Sequence, residues 1–419
     1  MRFYIGVDCG LVKEVDLILG KEGRKPSRVV KSGIYAHNKA KVKASEAEEG
    51  QEPEIEDVKI RDIGKISKAA AVQKLCWCAT NFSLANVGQK LAWVARALGV
   101  IDLIDVRSEH VLYTYTSSES KGPESKWIGL YSTTSALYAC EVGGAVHRLQ
   151  FDPTKGYEPT EVMCRKLYTT KKQIEVFVVN LQQPTIVATG GKDLDLSLWD
   201  LSTLFLNPQD YPKPLFTAKN VPNDKLDLRV PVWVMAAQFL TPTTKNSYRV
   251  VIATRYGQVR IYESAVKRQP IFNHQVFSTP ILSLEVSADE KQAVISDNEG
   301  DLQVLELEKG IILGKYKGIT GSVKDILILT HAQGKDIARQ PPILVSVAID
   351  RFLRLHHFNV SSRALIRRVY LKQRPTSILV DESSLVREVT AAKRAREENE
   401  DIWKQMDTVP LSKRPNEIE

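Results

Sequence analysis

The sequence predicts an all-β protein: a seven-bladed propeller whose ring is closed by a C-terminal strand, followed by a short helical and disordered tail. Three observations predict it. Seven segments repeat one pattern, a β-rich run, a tight turn and a second alternating run. They recur at roughly 40–50 residues, the period of a four-stranded propeller blade. The two longer intervals, before the second and fifth repeats, are filled by segments of different composition.

The repeats lie at 3–16, 91–105, 136–150, 185–200, 250–263, 293–306 and 344–357. Each needs an inner strand before it. Apolar runs at 72–79, 127–132, 174–181, 232–240, 281–287 and 323–329 supply six of these. Outer strands are expected at 29–35, 111–115, 214–219, 270–277, 312–317 and 364–372. The first repeat has no strand ahead of it, whereas PTSILVDE (375–382) resembles an inner strand with no hairpin behind it. Pairing 377–380 with the first hairpin closes the ring and removes two open sheet edges. The propeller is therefore expected to span 1–382. Residues 37–70 form a charged, flexible loop between blades 1 and 2, and 383–419 form the helical then disordered tail. The insertion TAKNVPNDKLDLRVPVW (217–233) mixes Pro, charge and spaced apolar residues and is expected to be ordered.

The balance of 58 Lys+Arg against 50 Asp+Glu gives a net charge of +8, which suits an acidic partner. Five cysteines lie mostly within expected strands, without zinc-ligand spacing. Cys76 and Cys78 share a strand face and are expected in the core. No run of 18 apolar residues exists, and MRFYIGVDCG does not read as a signal peptide. A soluble, intracellular chain is expected, a monomer with no membrane contact.

No catalytic constellation emerges, so no enzyme activity, cofactor or metal is expected. GGKD (190–193) is Gly-rich but sits between two strands, where a hairpin turn suits it and a nucleotide-binding loop does not. His356 and His357 are adjacent in a strand and face opposite ways. Recurrent Asp residues near strand ends read as turn acceptors. Trp199–Asp200 is the lone WD dipeptide, making these degenerate WD-type repeats whose Asp–His–Ser network is expected to be absent from most blades.

The turns carry the functional signal. Arg96, Lys192, Arg255 and Arg351 occupy four hairpin turns, with Tyr256 and Phe352 beside two of them. Loops on the same face add Lys171, Lys172, Lys219, Lys225 and Arg229. Cations interleaved with aromatic rings suit a phosphate backbone and unpaired bases. Glu141, Asp193, Asp297 and Asp350 share that face and are expected to dilute its field; a mixed-charge protein-binding rim is the competing reading. In the tail, Lys393, Arg394 and Arg396 form a candidate nuclear-import cluster, and SKRP (412–415) is a second short basic run.

AKNVPNDKLDLRVPVW (218–233) and the following Phe239–Leu240 resemble the nop-seven-associated WD-repeat ribosome-assembly factors of fungi and their nucleolar animal counterparts. GLVKEV (10–15), GKYKGITGSV (314–323), AIDRFLRLHHF (348–358) and DIWKQM (401–406) fit the same family. The resemblance implies a non-catalytic scaffold on nucleolar pre-60S particles. It implies contacts to precursor rRNA and other large-subunit assembly factors, and release by an AAA-type ATPase. The alternative is a substrate receptor or adaptor in a nuclear complex such as a ubiquitin ligase; Ser202 stands where such receptors often carry Arg.

Overall fold

The computed structural model describes residues 1–17, 58–83, 89–118, 125–168, 173–206, 212–223, 225–330, 342–359, 362–381 and 383. They build seven four-stranded antiparallel sheets. The innermost strands of blades 2 to 7 are Val72–Trp77, Trp127–Ser132, Ile174–Val179, Val234–Leu240, Ile281–Val286 and Val323–Leu329. Each touches the next around a circle, and Pro375–Asp381 touches both the first and the last of them, so the ring is closed.

Blade 1 takes its inner strand from the far end of the sequence. Pro375–Asp381 pairs with Arg2–Val7, placing Ile378 opposite Ile5 and Val380 opposite Phe3. Across this joint Phe3, Ile5, Val345, Leu355 and Ile378 share one buried cluster. Fully buried side chains of this kind contribute about 1.5–3 kcal/mol each. The joint is also hydrogen-bonded, because the Asp325 carboxylate accepts the Ile378 N–H at 2.8 Å. Gln73 and Gln238 make similar bridges to the backbone N–H groups of Trp127 and Val286, at 2.6 and 2.8 Å. In each case a side chain from the neighbouring blade satisfies a backbone donor on an inner strand.

All seven inner strands carry the same irregularity. Their register slips by one residue close to the hairpin-turn end, at Gln73, Ile128, Glu175, Met235, Leu282, Lys324 and Thr376. A bulge at this place bends the strand and re-aims its side chains.

The first blade corrects two expectations. Its outer strand is Val58–Ile63, paired with Val12–Leu17, and not the segment at 29–35. The stretch 37–70 is thus no loop throughout, since its last part forms this strand and a short 3-10 turn at Lys68–Ala70. Only Ile63 of the strand is buried, so ion pairs take the place of apolar packing. Lys13, 1% exposed, pairs with Asp62, and Arg61 reaches Glu14 at 2.6 Å. Pro159–Lys166 forms the outer strand of blade 3, for which the sequence offers no candidate. Residues 29–35, 37–57 and the tail from 384 onward, with Lys393, Arg394 and Arg396, lie outside the described residues. Among the described residues, no helix is long and apolar enough to cross a membrane.

Candidate functional site

The hairpin turns and the loops leading into the inner strands meet on one face, and the fullest site there lies at blades 4 and 5. The turn of blade 4 is Lys192–Asp193, between Gly191 and its partner Leu194. Gly191 is required because a Cβ there would come within 2.1 Å of the Gln173 carbonyl oxygen. This is the tight hairpin expected of GGKD, with Asp193 at a φ of 51°. The turn of blade 5 is Arg255–Tyr256–Gly257. Gly257 has a φ of 76°, and a Cβ on it would lie 1.9 Å from the Phe277 carbonyl oxygen.

The end of the insertion stitches these turns together. Asp193 N–H donates to the Val232 carbonyl at 3.0 Å, and Arg255 N–H donates to the Trp233 carbonyl at 2.8 Å. The backbone of Lys192 bridges that of Trp233. As a result the half-buried Trp233 ring receives two cations, Lys192 Nζ at 5.1 Å and the Arg255 guanidinium at 4.4 Å from the ring centroid. Both cations stay exposed, as does Tyr256 at the same turn. Trp233 is not among the residues the sequence singles out. Its only signal there is an aromatic residue immediately before an inner strand, between two turns that each carry a base.

Arg229 joins this site, lining an open groove of about 780 Å³ with Asp193, Tyr168, Trp199 and Lys166. Lys225 is exposed on the insertion. Lys219 stands apart at the rim, its N–H donating to the Arg268 carbonyl near the end of blade 5's outer strand farthest from the turn. Arg351 projects two blades further round, its guanidinium 3.4 Å from the Tyr370 hydroxyl. Arg96 is committed internally: it pairs with Asp102 at 2.6 Å and donates to the Gly10 carbonyl, tying blade 2 to blade 1. Lys171 and Lys172 lie outside the described residues.

The face is more positive than the sequence suggests, because three of its four expected carboxylates turn inward. Glu141 is buried and accepts from Ser117 at 2.6 Å. Asp297 is buried and accepts the N–H groups of Glu299, Gly300 and Asp301. Asp350 grips Arg354. Burial opposes its charge, but the Arg354 guanidinium and nearby backbone donors win and hold the carboxyl below its ordinary range. Of the four, Asp193 alone is exposed; Glu299, on the blade 6 turn, is a further exposed acid of this face.

One cluster invites a catalytic reading and fails it on geometry. His147 is fully buried, with Nε2 2.9 Å from Glu141 and 3.8 Å from Cys164 Sγ, while Nδ1 lies 3.0 Å from the Tyr115 hydroxyl. A thiol–imidazole–carboxylate relay needs thiol and carboxylate on opposite ring nitrogens; here both meet Nε2. Among the described residues no group of three or more His, Cys, Asp or Glu is arranged to hold a metal. Blade 4 retains a buried polar network in which Trp199 Nε1 donates to Thr189 at 2.8 Å and the Tyr168 hydroxyl meets the same oxygen at 3.1 Å.

No protein-family model matches the chain. It is similar to WD repeat-containing protein 74 of Bos taurus, 28% identical over 365 residues that cover 84% of this chain and 85% of that protein. With the Homo sapiens protein of the same name it shares 35% identity over 198 residues, about half of each (47% and 46%). Ribosome biogenesis protein NSA1 of Yarrowia lipolytica is 24% identical over 411 residues, covering 90% of this chain and 94% of that protein.

Proposed function

We propose that this chain, a homologue of WD repeat-containing protein 74 and of the NSA1 ribosome biogenesis proteins, acts in ribosome assembly. Its role is that of a non-catalytic scaffold in the nucleolus. The rigid ring occupies a position on pre-60S particles, contacting precursor rRNA and neighbouring assembly factors, until an AAA-type ATPase removes it. The chain works as a monomer.

The observation that carries the rRNA contact is the pair of exposed cations, Lys192 and Arg255, held on the Trp233 ring with Arg229 nearby. Exposed cations supply salt-dependent affinity for phosphates, and aromatic residues beside them offer faces for unstacked bases. Preorganisation by the backbone bonds to Val232 and Trp233 lowers the ordering cost of binding. Charge reversal at Arg229 and Arg255 together is expected to reduce co-purification with large-subunit precursors at least tenfold, with the melting temperature unchanged. Unaltered co-sedimentation overturns the assignment of this face. Absence of the wild-type chain from such particles overturns the function.

A further inference from the structure

The insertion between blades 4 and 5 does more than complete the cationic site. Its tip exposes two leucines, Leu226 at 77% and Leu228 at 59%, on a loop that is tied down at its neck. The neck is built from inside blade 5. Arg260, fully buried, donates to Asn273 and Gln258 and, at 3.0 Å, to the Asn220 side-chain oxygen. Asn220 in turn donates to the Val230 carbonyl at 2.6 Å, drawing the two ends of the loop together. Nearer the tip, Asn223 donates to the Asp227 carboxylate at 2.8 Å, and Asp227 holds a left-handed φ of 57° between the two leucines. Pro222 and Pro231 stiffen both arms.

A buried arginine thus orders a loop whose tip exposes two leucine side chains. Preorganised apolar anchors are what a docking site offers a partner. Leucine has neither charge nor a stacking face, so these positions suit protein, not nucleic acid. On the loop and the turns at its foot, the exposed Lys192, Lys225, Arg229 and Arg255 outnumber the exposed Asp193 and Asp227 among the described residues, with Asp224 a third acid in the sequence. The partner's complement is therefore an apolar groove with a carboxylate rim.

We infer that the tip of the 219–231 loop is a protein-docking knob, which inserts Leu226 and Leu228 into an apolar, acid-rimmed groove on one assembly partner. This deepens, and rests on, the reading of the face as a docking surface in ribosome assembly. The test places the photo-crosslinker p-benzoylphenylalanine at position 226 of the full chain in its native cells. After irradiation and nuclease digestion, adducts are mapped by mass spectrometry and sized by sedimentation. The expected result is one protein adduct, at a segment where apolar residues alternate with Asp or Glu, and Leu228→Asp lowers its yield at least tenfold at an unchanged melting temperature. Adducts spread over many proteins, confined to RNA, absent, or indifferent to Leu228→Asp overturn the knob. If the specific adduct forms but sediments apart from large-subunit precursors, the knob stands and the ribosome-assembly reading falls.

Discussion

The Arg255 guanidinium lies over the Trp233 ring at 4.4 Å, while the Arg255 N–H donates to the Trp233 carbonyl at 2.8 Å. Backbone and side chain thus hold the same pair together, and the charge faces solvent. Cation–ring pairs of this kind at exposed sites contribute about 0.5–1 kcal/mol, so the pair costs little to break. Replacing Lys192 and Arg255 by Gln is expected to leave the melting temperature nearly unchanged. In fluorescence-anisotropy titrations with single-stranded RNA, the log–log salt dependence should become shallower by about 1.4, roughly 0.7 for each phosphate that a cation no longer neutralises.

Ring closure depends on Pro375–Asp381. Truncation after residue 374 removes the strand opposite Arg2–Val7 together with the Asp325–Ile378 bridge. An opened ring exposes two sheet edges. Thermal unfolding of the truncated chain is expected at least roughly 10 °C lower, the shift that follows from losing several kcal/mol in a protein of this size. An undiminished melting temperature contradicts the closed ring.

His356 sits in blade 7 at 1% exposure, 5.1 Å from the Tyr316 ring. Burial, then the Arg354 charge, push its pKa from 6.5 down to about 4. The folded state therefore resists a proton that the unfolded chain takes up below pH 6.5. Stability is full above that value and is lost as pH falls towards 4, by roughly 3 kcal/mol from this group. Denaturant unfolding between pH 7 and 4 should show the loss, and His356→Phe should flatten it.

Glu285 has the opposite sign. Burial first, then the neighbouring Asp325 charge, raise its pKa from 4.5 to about 8. The folded state keeps a proton that the unfolded chain releases, so stability falls as pH rises from about 4.5 to about 8. Glu285→Gln should raise the melting temperature at pH 9 and change it little near pH 4.

Inner strands are legible in the sequence because they are nearly continuous apolar runs: those at 127–132 and 323–329 have the bounds the structure gives these strands. Outer strands are harder. Val58–Ile63 and Pro159–Lys166 bury little, and their pairing rests on backbone bonds and ion pairs that leave no hydrophobic period. The candidate site is half visible. Basic turns can be read from composition, but whether a cation is free depends on tertiary partners, which take Arg96 inward to Asp102. The same partners withdraw Glu141, Asp297 and Asp350 from the face. Trp233 and the two exposed leucines become visible only with the fold of the insertion, because an apolar residue reads as core until its surroundings are known.

The most direct test is ultraviolet RNA–protein crosslinking of the full chain within purified large-subunit precursor particles, with each crosslinked residue mapped. Precursor-rRNA nucleotides are expected on peptides containing Lys192, Trp233 and Arg255. Crosslinks confined to the loops of the opposite face, such as 133–135, 180–185 or 287–291, with none at Trp233 or its two cations, contradict an rRNA contact at this site.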